Sequence, residues 1–420
     1  MLIKRFFTLF ALFGFAKILG GIKEVVLGWK LGVGGILDQY IWTSTLFLSP
    51  VFLIYGFATI LIPAIIGNSA KENKNEAIQT IKGGAAIVAA TSFIVVLLAY
   101  YLLIKIKAIE HFNEKSAVPA EAFWMAGLTP IGVWIAYITG VMAHAGKRRI
   151  SVMESIPSVV MIVVIINISR LSYENLVYAT LFAYSMQLLA MIYFSGLSRE
   201  FVRPKFNLAR MYFDNKSTIY VVLASQVVFW IPGTVDILIS PIFGEGYSAA
   251  INYSYKFIGI LIGACAVSIN RAVLPILYKT LSVGHSVNLG LNGLMAAFFS
   301  GGAISLLAYF GMGPILEPIM VRGLFTVDDL GSVMSLAHIG LMQVPFCVAA
   351  VYLLSININS HEANKVFAIG MTISVLSKFV VVMIAINRQS PEILMVSNVA
   401  LYGSLSIIWS LSLQKRRVAG

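Results

Sequence analysis

GFAKILGGIKEVVLGWKLGVGGILDQYIWTSTLFLSPVFLIYGFATILIPAIIG, residues 14–67, holds two apolar runs, each long enough to cross a bilayer as a helix. The first run also carries Lys17, Lys23 and Glu24, and the glycine turn that closes it (Gly32, Gly34, Gly35) leads to Asp38. Ionised groups are costly in hydrocarbon, so they turn toward a bundle interior or a watery cavity. With successive helical residues about 100° apart, Lys17, Gly21, Glu24 and Gly28 fall on one stripe. That stripe joins charge to missing side chains, which suits a hydrated, closely packed inner face.

The rest of the chain fits the same solvent. Of its 420 residues 59% are hydrophobic and 11% are charged, under half the charged share of an average soluble domain. The expected class is therefore an all-α integral membrane protein. Lys4 and Arg5 ahead of an apolar core resemble a signal peptide. No small-x-small site ends that core and the run continues past Lys17, so it reads as a retained first helix. Cys265 and Cys347 lie far apart in apolar runs, which gives neither a disulfide framework nor a Cys-x-x-Cys metal site.

Runs of adequate length number twelve, at roughly 6–31, 38–67, 77–104, 119–144, 151–169, 174–197, 218–243, 247–278, 287–310, 331–358, 364–387 and 393–413. With the N-terminus in the cytoplasm, 17 of the 30 Lys and Arg fall in cytoplasmic loops and tails and 6 in the opposite loops. The other 7 lie within or at the ends of spans. This bias places both termini inside. It also accounts for much of the +12 charge, GKRR at 146–149 included, through basic loops facing anionic membrane lipids, so no nucleic-acid partner is expected.

The longest hydrophilic connection, 198–217, falls midway and separates an N-terminal six-helix lobe (1–197) from a C-terminal one (218–420). Subtracting 212 from the positions of Asp236, Gly244, Gly246 and Pro275 lands on Glu24, Gly32, Gly34 and Pro63, and Pro345 answers Pro130 at a spacing of 215. Such an ordered correspondence points to duplication. Six helices per half give both lobes the same orientation, related by a pseudo-two-fold axis along the membrane normal.

The ionisable groups set within spans are Lys17, Lys23, Glu24, Glu154, Asp236, Lys256, Arg271 and Lys378. The plain reading is structural: interhelical ion pairs, or snorkelling in the case of Arg271 near a helix end. Lys23 with Glu24 offers a local charge pair, although helix neighbours project about 100° apart and do not face each other. Lys17 and Lys256 lie deep in their runs and favour a cavity. Positive charge lining a cavity implies an anionic passenger, and lysine suits a phosphate held as a point charge.

Other chemistries find little support. GVMAHAGKRR departs from the phosphate-binding loop pattern by an extra residue before the second Gly and by Arg after Lys, so no nucleotide drives the protein. The five histidines show neither H-E-x-x-H nor close pairing, so no metal site is expected. Asp328 and Asp329 read as a solvated helix start rather than a catalytic dyad. No catalytic residue and no cofactor is assigned.

LGGIKEVVLGWKLGVGGILDQYIWTS resembles the start of the MurJ/MviN lipid II flippases, in which a basic and acidic pair precedes a G-x-G turn and an Asp-aromatic step. VDILISPIFGEGYSAAINYSYKFIGI with VLPIL resembles their seventh and eighth helices, RGLFTVDDLGSVMSLAHIG their R-G-x-F-T segment, and AGKRRISVMESIPSVV their fourth-to-fifth connection. The motifs follow one another in order along the chain, and the wider kinship is with the multidrug/oligosaccharidyl-lipid/polysaccharide flippases.

The resemblance implies a cationic cavity between two lobes that opens alternately to each side. It implies transfer of a polyprenyl-diphosphate-linked saccharide from the cytoplasmic to the outer leaflet of a bacterial inner membrane, driven by membrane potential or an ion gradient. Lys17, Lys23 and Lys256 would then meet the diphosphate, while Glu24, Asp38, Asp236 and Lys378 would tune charge and gating. Glycan-assembly enzymes would be natural partners. The departures are an apolar SPVFLIYGF where the family carries an arginine pair, Tyr255 where it has an acid beside the basic Lys256, lysines for arginines, and no two further helices after residue 413. They move the expected cargo from lipid II toward a surface-polysaccharide unit. Some family members use sodium between the seventh and eleventh helices; here those helices offer Asp236 and Lys378, expected to pair, with Lys378 standing in for the cation or responding to protonation of the acid. The rival readings are a MATE-like exporter of small cationic drugs or metabolites, a membrane-embedded enzyme of glycan assembly, and a non-transporting scaffold.

Overall fold

A computed structural model describes residues 18–68, 74–105, 120–145, 150–195, 225–263, 286–357 and 364–419. Every regular element among them is helical. Eight helices among the described residues are long and apolar enough to cross a membrane, by length and composition. Their outward surface is apolar: on the third and ninth expected spans Val95, Leu98, Leu102, Leu306, Leu307 and Phe310 are exposed. A water-facing protein would not carry such bands, whereas lipid accepts them. The chain is a multi-pass membrane protein.

The residues fall into two compact units, one comprising 1–226 with Gly244–Ser248 and Gly323–Phe325, the other Val227–Phe243, Ala249–Arg322 and Thr326–Gly420. The expected linker at 198–217 lies outside the described residues.

In the first unit, α1 (18–31) ends at Gly32, whose φ of +66° only glycine adopts at little cost. There follow α2 (Gly35–Asn68), α3 (Lys74–Lys105), a 3-10 turn Ala120–Gly127 leading into α4 (Leu128–His144), α5 (Ile150–Met153), α6 (Ile156–Asn167) and α7 (Tyr173–Ser195). The expected span at 151–169 is thus broken at Glu154 and Ser155, ahead of Pro157, which opens α6 where a missing N–H costs nothing. Pro50 sits inside α2 and cannot donate to the carbonyl of Leu46; the Ser49 hydroxyl donates to it instead, at 2.8 Å. Thr129 of α4 supplies the neighbouring Phe47 carbonyl at 2.7 Å, so the proline site also ties α2 to α4. Gly140 brings the same two helices close, since a Cβ there would lie 2.7 Å from the Ala58 carbonyl oxygen. Around this contact Ile62, Ile66, Ile135, Tyr137 and Met142 form a buried core.

The second unit takes up α8 (225–239) from Val227, which runs into a 3-10 turn Ser240–Phe243, and α9 (247–263) from Ala249. Then come α10 (Ser286–Met320), α11 (Val327–Gly340), a 3-10 turn Leu341–Gln343, α12 (Val344–Asn357), α13 (Asn364–Arg388) and α14 (Pro391–Ala419). Helix α10 runs ten residues past the expected end at 310, through Pro314 and Pro318, because apolar surroundings leave the backbone no better option than the helix. Asp329 opens α11 in a capping box with Thr326, the helix-start role expected of the acidic pair.

Adjacent glycines on α10 make opposite predictions. A Cβ on Gly301 would lie 2.8 Å from the Cα of Pro345, whereas one on Gly302 meets nothing within 4 Å. Gly301→Ala is expected to lower stability by about 1–3 kcal/mol through overpacking. Gly302→Ala is expected to be neutral or to gain up to about 1 kcal/mol in helix propensity. Thermal unfolding in detergent compares them, and equal effects would contradict the close α10–α12 approach.

Candidate functional site

The polar centre of the second unit is built from four helices. Asp236 on α8, Lys378 on α13, and Ser397 and Asn398 on α14 are all fully buried. Gln389, at φ +51°, and Ser390 end α13 and let α14 fold back along it, which brings Lys378 level with Ser397 and Asn398. The Lys378 ammonium donates to Asp236 Oδ1 at 2.7 Å, Asn398 Oδ1 at 2.7 Å and Ser397 Oγ at 2.9 Å. An ammonium has three protons, and each has an acceptor. Asp236 Oδ2 accepts from the Tyr255 hydroxyl of α9 and from Asn398 Nδ2 at 3.1 Å, and Asn398 also donates to Tyr255. The Ser397 hydroxyl donates in turn to the Leu394 carbonyl at 2.6 Å. No donor of the ammonium or oxygen of the carboxylate is idle, the condition under which a buried ion pair is tolerated.

The first unit holds a second pair. Lys23 Nζ lies 3.0 Å from Glu24 Oε1, with side chains 22% and 9% accessible. This is the local charge pair that the sequence offered, made although helix neighbours point about 100° apart. The four-carbon stem of lysine curls across the 100° between helix neighbours, and a buried carboxylate rewards it more than one in water would.

Asp38 is buried and accepts from the backbone N–H of Gly246, while Glu245 Oε1 accepts from the N–H of Gly35 at 2.9 Å. The glycine turn at 244–246 therefore meets the start of α2 in reciprocal fashion, inside the first unit. Gly244 (φ +121°) and Gly246 (φ +91°) make that turn possible. Gly323, at φ +62°, lies against the Trp29 carbonyl, which also accepts from Leu324 N at 2.9 Å.

Of the remaining candidates, Lys256 is exposed on α9, while Lys17 and Arg271 lie outside the described residues. Glu154 accepts a hydrogen bond from Tyr55. Ser397, Asn398, Glu245 and Tyr55 were not among the expected site residues, and Tyr255 was marked only as a departure beside Lys256. Asn398 had a signal, because an amide inside an apolar run must find a partner; Glu245 had none, since its role depends on where a distant turn lands. Among the described residues no group of His, Cys, Asp or Glu is placed to hold a metal ion.

No family model matches the sequence, and no curated protein matches it. Solved structures do. A lipid II flippase MurJ in an inward closed conformation is 18% identical with a TM-score of 0.73, over 98% of this chain and 87% of that one. An inward-facing multidrug resistance MATE family transporter of the MOP superfamily is 14% identical with a TM-score of 0.69, over 96% and 95% of the two chains. The outward-facing form of a MATE family transporter is 16% identical with a TM-score of 0.61, over 97% and 93%. These likenesses establish the fold: the helices follow the plan of MurJ and the MATE transporters nearly end to end.

Proposed function

We propose that the protein is a flippase that carries a polyprenyl-diphosphate-linked saccharide from the cytoplasmic to the outer leaflet of a bacterial inner membrane by alternating access. In this reading twelve spans form two six-helix halves of the same orientation, with both termini cytoplasmic, and the driving force is membrane potential or an ion gradient. The observation that carries it is the balance of charge that the sequence sets within the expected spans: five basic residues (Lys17, Lys23, Lys256, Arg271, Lys378) against three acidic ones (Glu24, Glu154, Asp236). A diphosphate is drawn to such a balance and a cation repelled by it. Lys17, Lys23 and Lys256 are the diphosphate contacts, and the cargo's anion must favour one facing state over the other to bias the cycle. The saccharide unit is a surface-polysaccharide repeat or a lipid II-like precursor.

Depleting the protein should make one lipid-linked glycan accumulate on the cytosolic leaflet, identified by extraction and mass spectrometry. Lys17→Ala and Lys256→Ala should each fail to relieve that accumulation while remaining folded. Full relief by both variants would remove the charged contacts from the mechanism. The likeness to MATE transporters supports a second reading, an exporter of small cationic compounds. Resistance to cationic dyes on overexpression, with no glycan accumulating on depletion, would favour it.

A further inference from the structure

We infer that the polar centre of the second unit is a monovalent-cation site whose cation is built into the chain as the Lys378 ammonium, so that the protein takes no free alkali ion there. Asp236 Oδ1, Asn398 Oδ1 and Ser397 Oγ converge on one point from two directions, α8 on one side and α14 on the other. One formal negative charge and neutral oxygens around a buried point is the donor set that a hard monovalent cation takes. Here Nζ occupies that point at 2.7–2.9 Å from all three oxygens.

The residues therefore do not fit a sodium ion. A second positive charge would sit, in a fully buried setting, against an ammonium that already neutralises Asp236 and uses all three acceptors. The other facing groups do not change this. Tyr255 and Asn398 saturate Asp236 Oδ2 and are neutral, and among the described residues α8, α9, α13 and α14 bring no second acid into the hydrogen-bonded set. A tethered cation differs from a diffusible one in a testable way. Occupancy does not depend on concentration, and the site empties only when the side chain is removed.

Thermal unfolding of the purified full chain in detergent tests this, with NaCl, LiCl, KCl or methylammonium chloride titrated against choline chloride at constant ionic strength. The wild type should show no saturable shift with any of them. Lys378→Ala leaves the Asp236 carboxylate and the oxygen set around a vacated ammonium position. Its Tm should rise by about 2 °C or more on saturation with Na+ or methylammonium and stay flat in choline. A saturable wild-type shift specific to Na+, Li+ or K+ would overturn the inference. So would a Lys378→Ala protein that folds yet responds to no small cation. Should that variant not fold, the wild-type titration decides alone. The readout is ion binding, so it is independent of whether the cargo is a lipid-linked glycan.

Discussion

Lys378→Met, made alone, is expected to destabilise the protein by ~3–5 kcal/mol, the cost of leaving the buried Asp236 carboxylate without its counter-charge. Asp236→Leu should cost a similar amount for the opposite reason, because the ammonium on α13 then has no anion. The double variant Asp236→Leu with Lys378→Met should be more stable than either single one, since replacing both members of a buried pair with apolar groups restores a neutral interior. Recovery should be incomplete. Asn398 would keep its bond to Tyr255 but lose those to Lys378 and Asp236, and an amide left short of partners in a dry interior carries its own penalty of about 1–3 kcal/mol. A third change, Asn398→Leu, should restore part of that. Thermal unfolding in detergent provides the comparison. Additive losses in the double variant would mean that the two charges do not depend on each other, against the 2.7 Å contact.

What could be read from the residues alone follows from physics that acts locally. Apolar runs of span length, and the glycines and prolines that punctuate them, gave the helices and their order, because lipid permits almost nothing else. The 310 boundary was misplaced because Gly311, Pro314 and Pro318 would end a helix in water, while α10 continues past all three. Asp236 and Lys378 were legible as an opposite-charge pair on different helices, since each is intolerable in hydrocarbon without the other. Ser397, Asn398 and Tyr255 were not, because serine, asparagine and tyrosine occur in many membrane helices and only the turn at Gln389 and Ser390 sets the register of α14 against α13. The contact of Lys23 with Glu24 was legible as a local charge pair, but not from projection angles. Projection angles describe where Cβ points, and a lysine head lies several bonds beyond it.

That contact makes the Lys23 charge conditional, and its consequence for an anionic cargo has a definite sign. At 3.0 Å from a carboxylate that is 9% accessible, Lys23 presents a diphosphate with a dipole rather than a full positive charge. Under the flippase reading, Glu24→Gln is expected to strengthen binding of a polyprenyl diphosphate, because it releases the ammonium from its partner. Lys23→Ala is expected to weaken binding on the order of tenfold or more, because it removes the cation and also exposes the anion that it masked. The double variant should fall between them, closer to wild type than Lys23→Ala, since it removes both the attraction and the repulsion. Binding to protein in nanodiscs of neutral lipid, measured at low and high salt, gives the order, and the differences should shrink as salt screens the partly accessible charges. A purely structural pair would behave otherwise. Both single variants would then lose thermal stability to a similar degree while diphosphate affinity stayed level across the series, and Lys23 would drop out of the cargo path, leaving Lys17 and Lys256 to carry it.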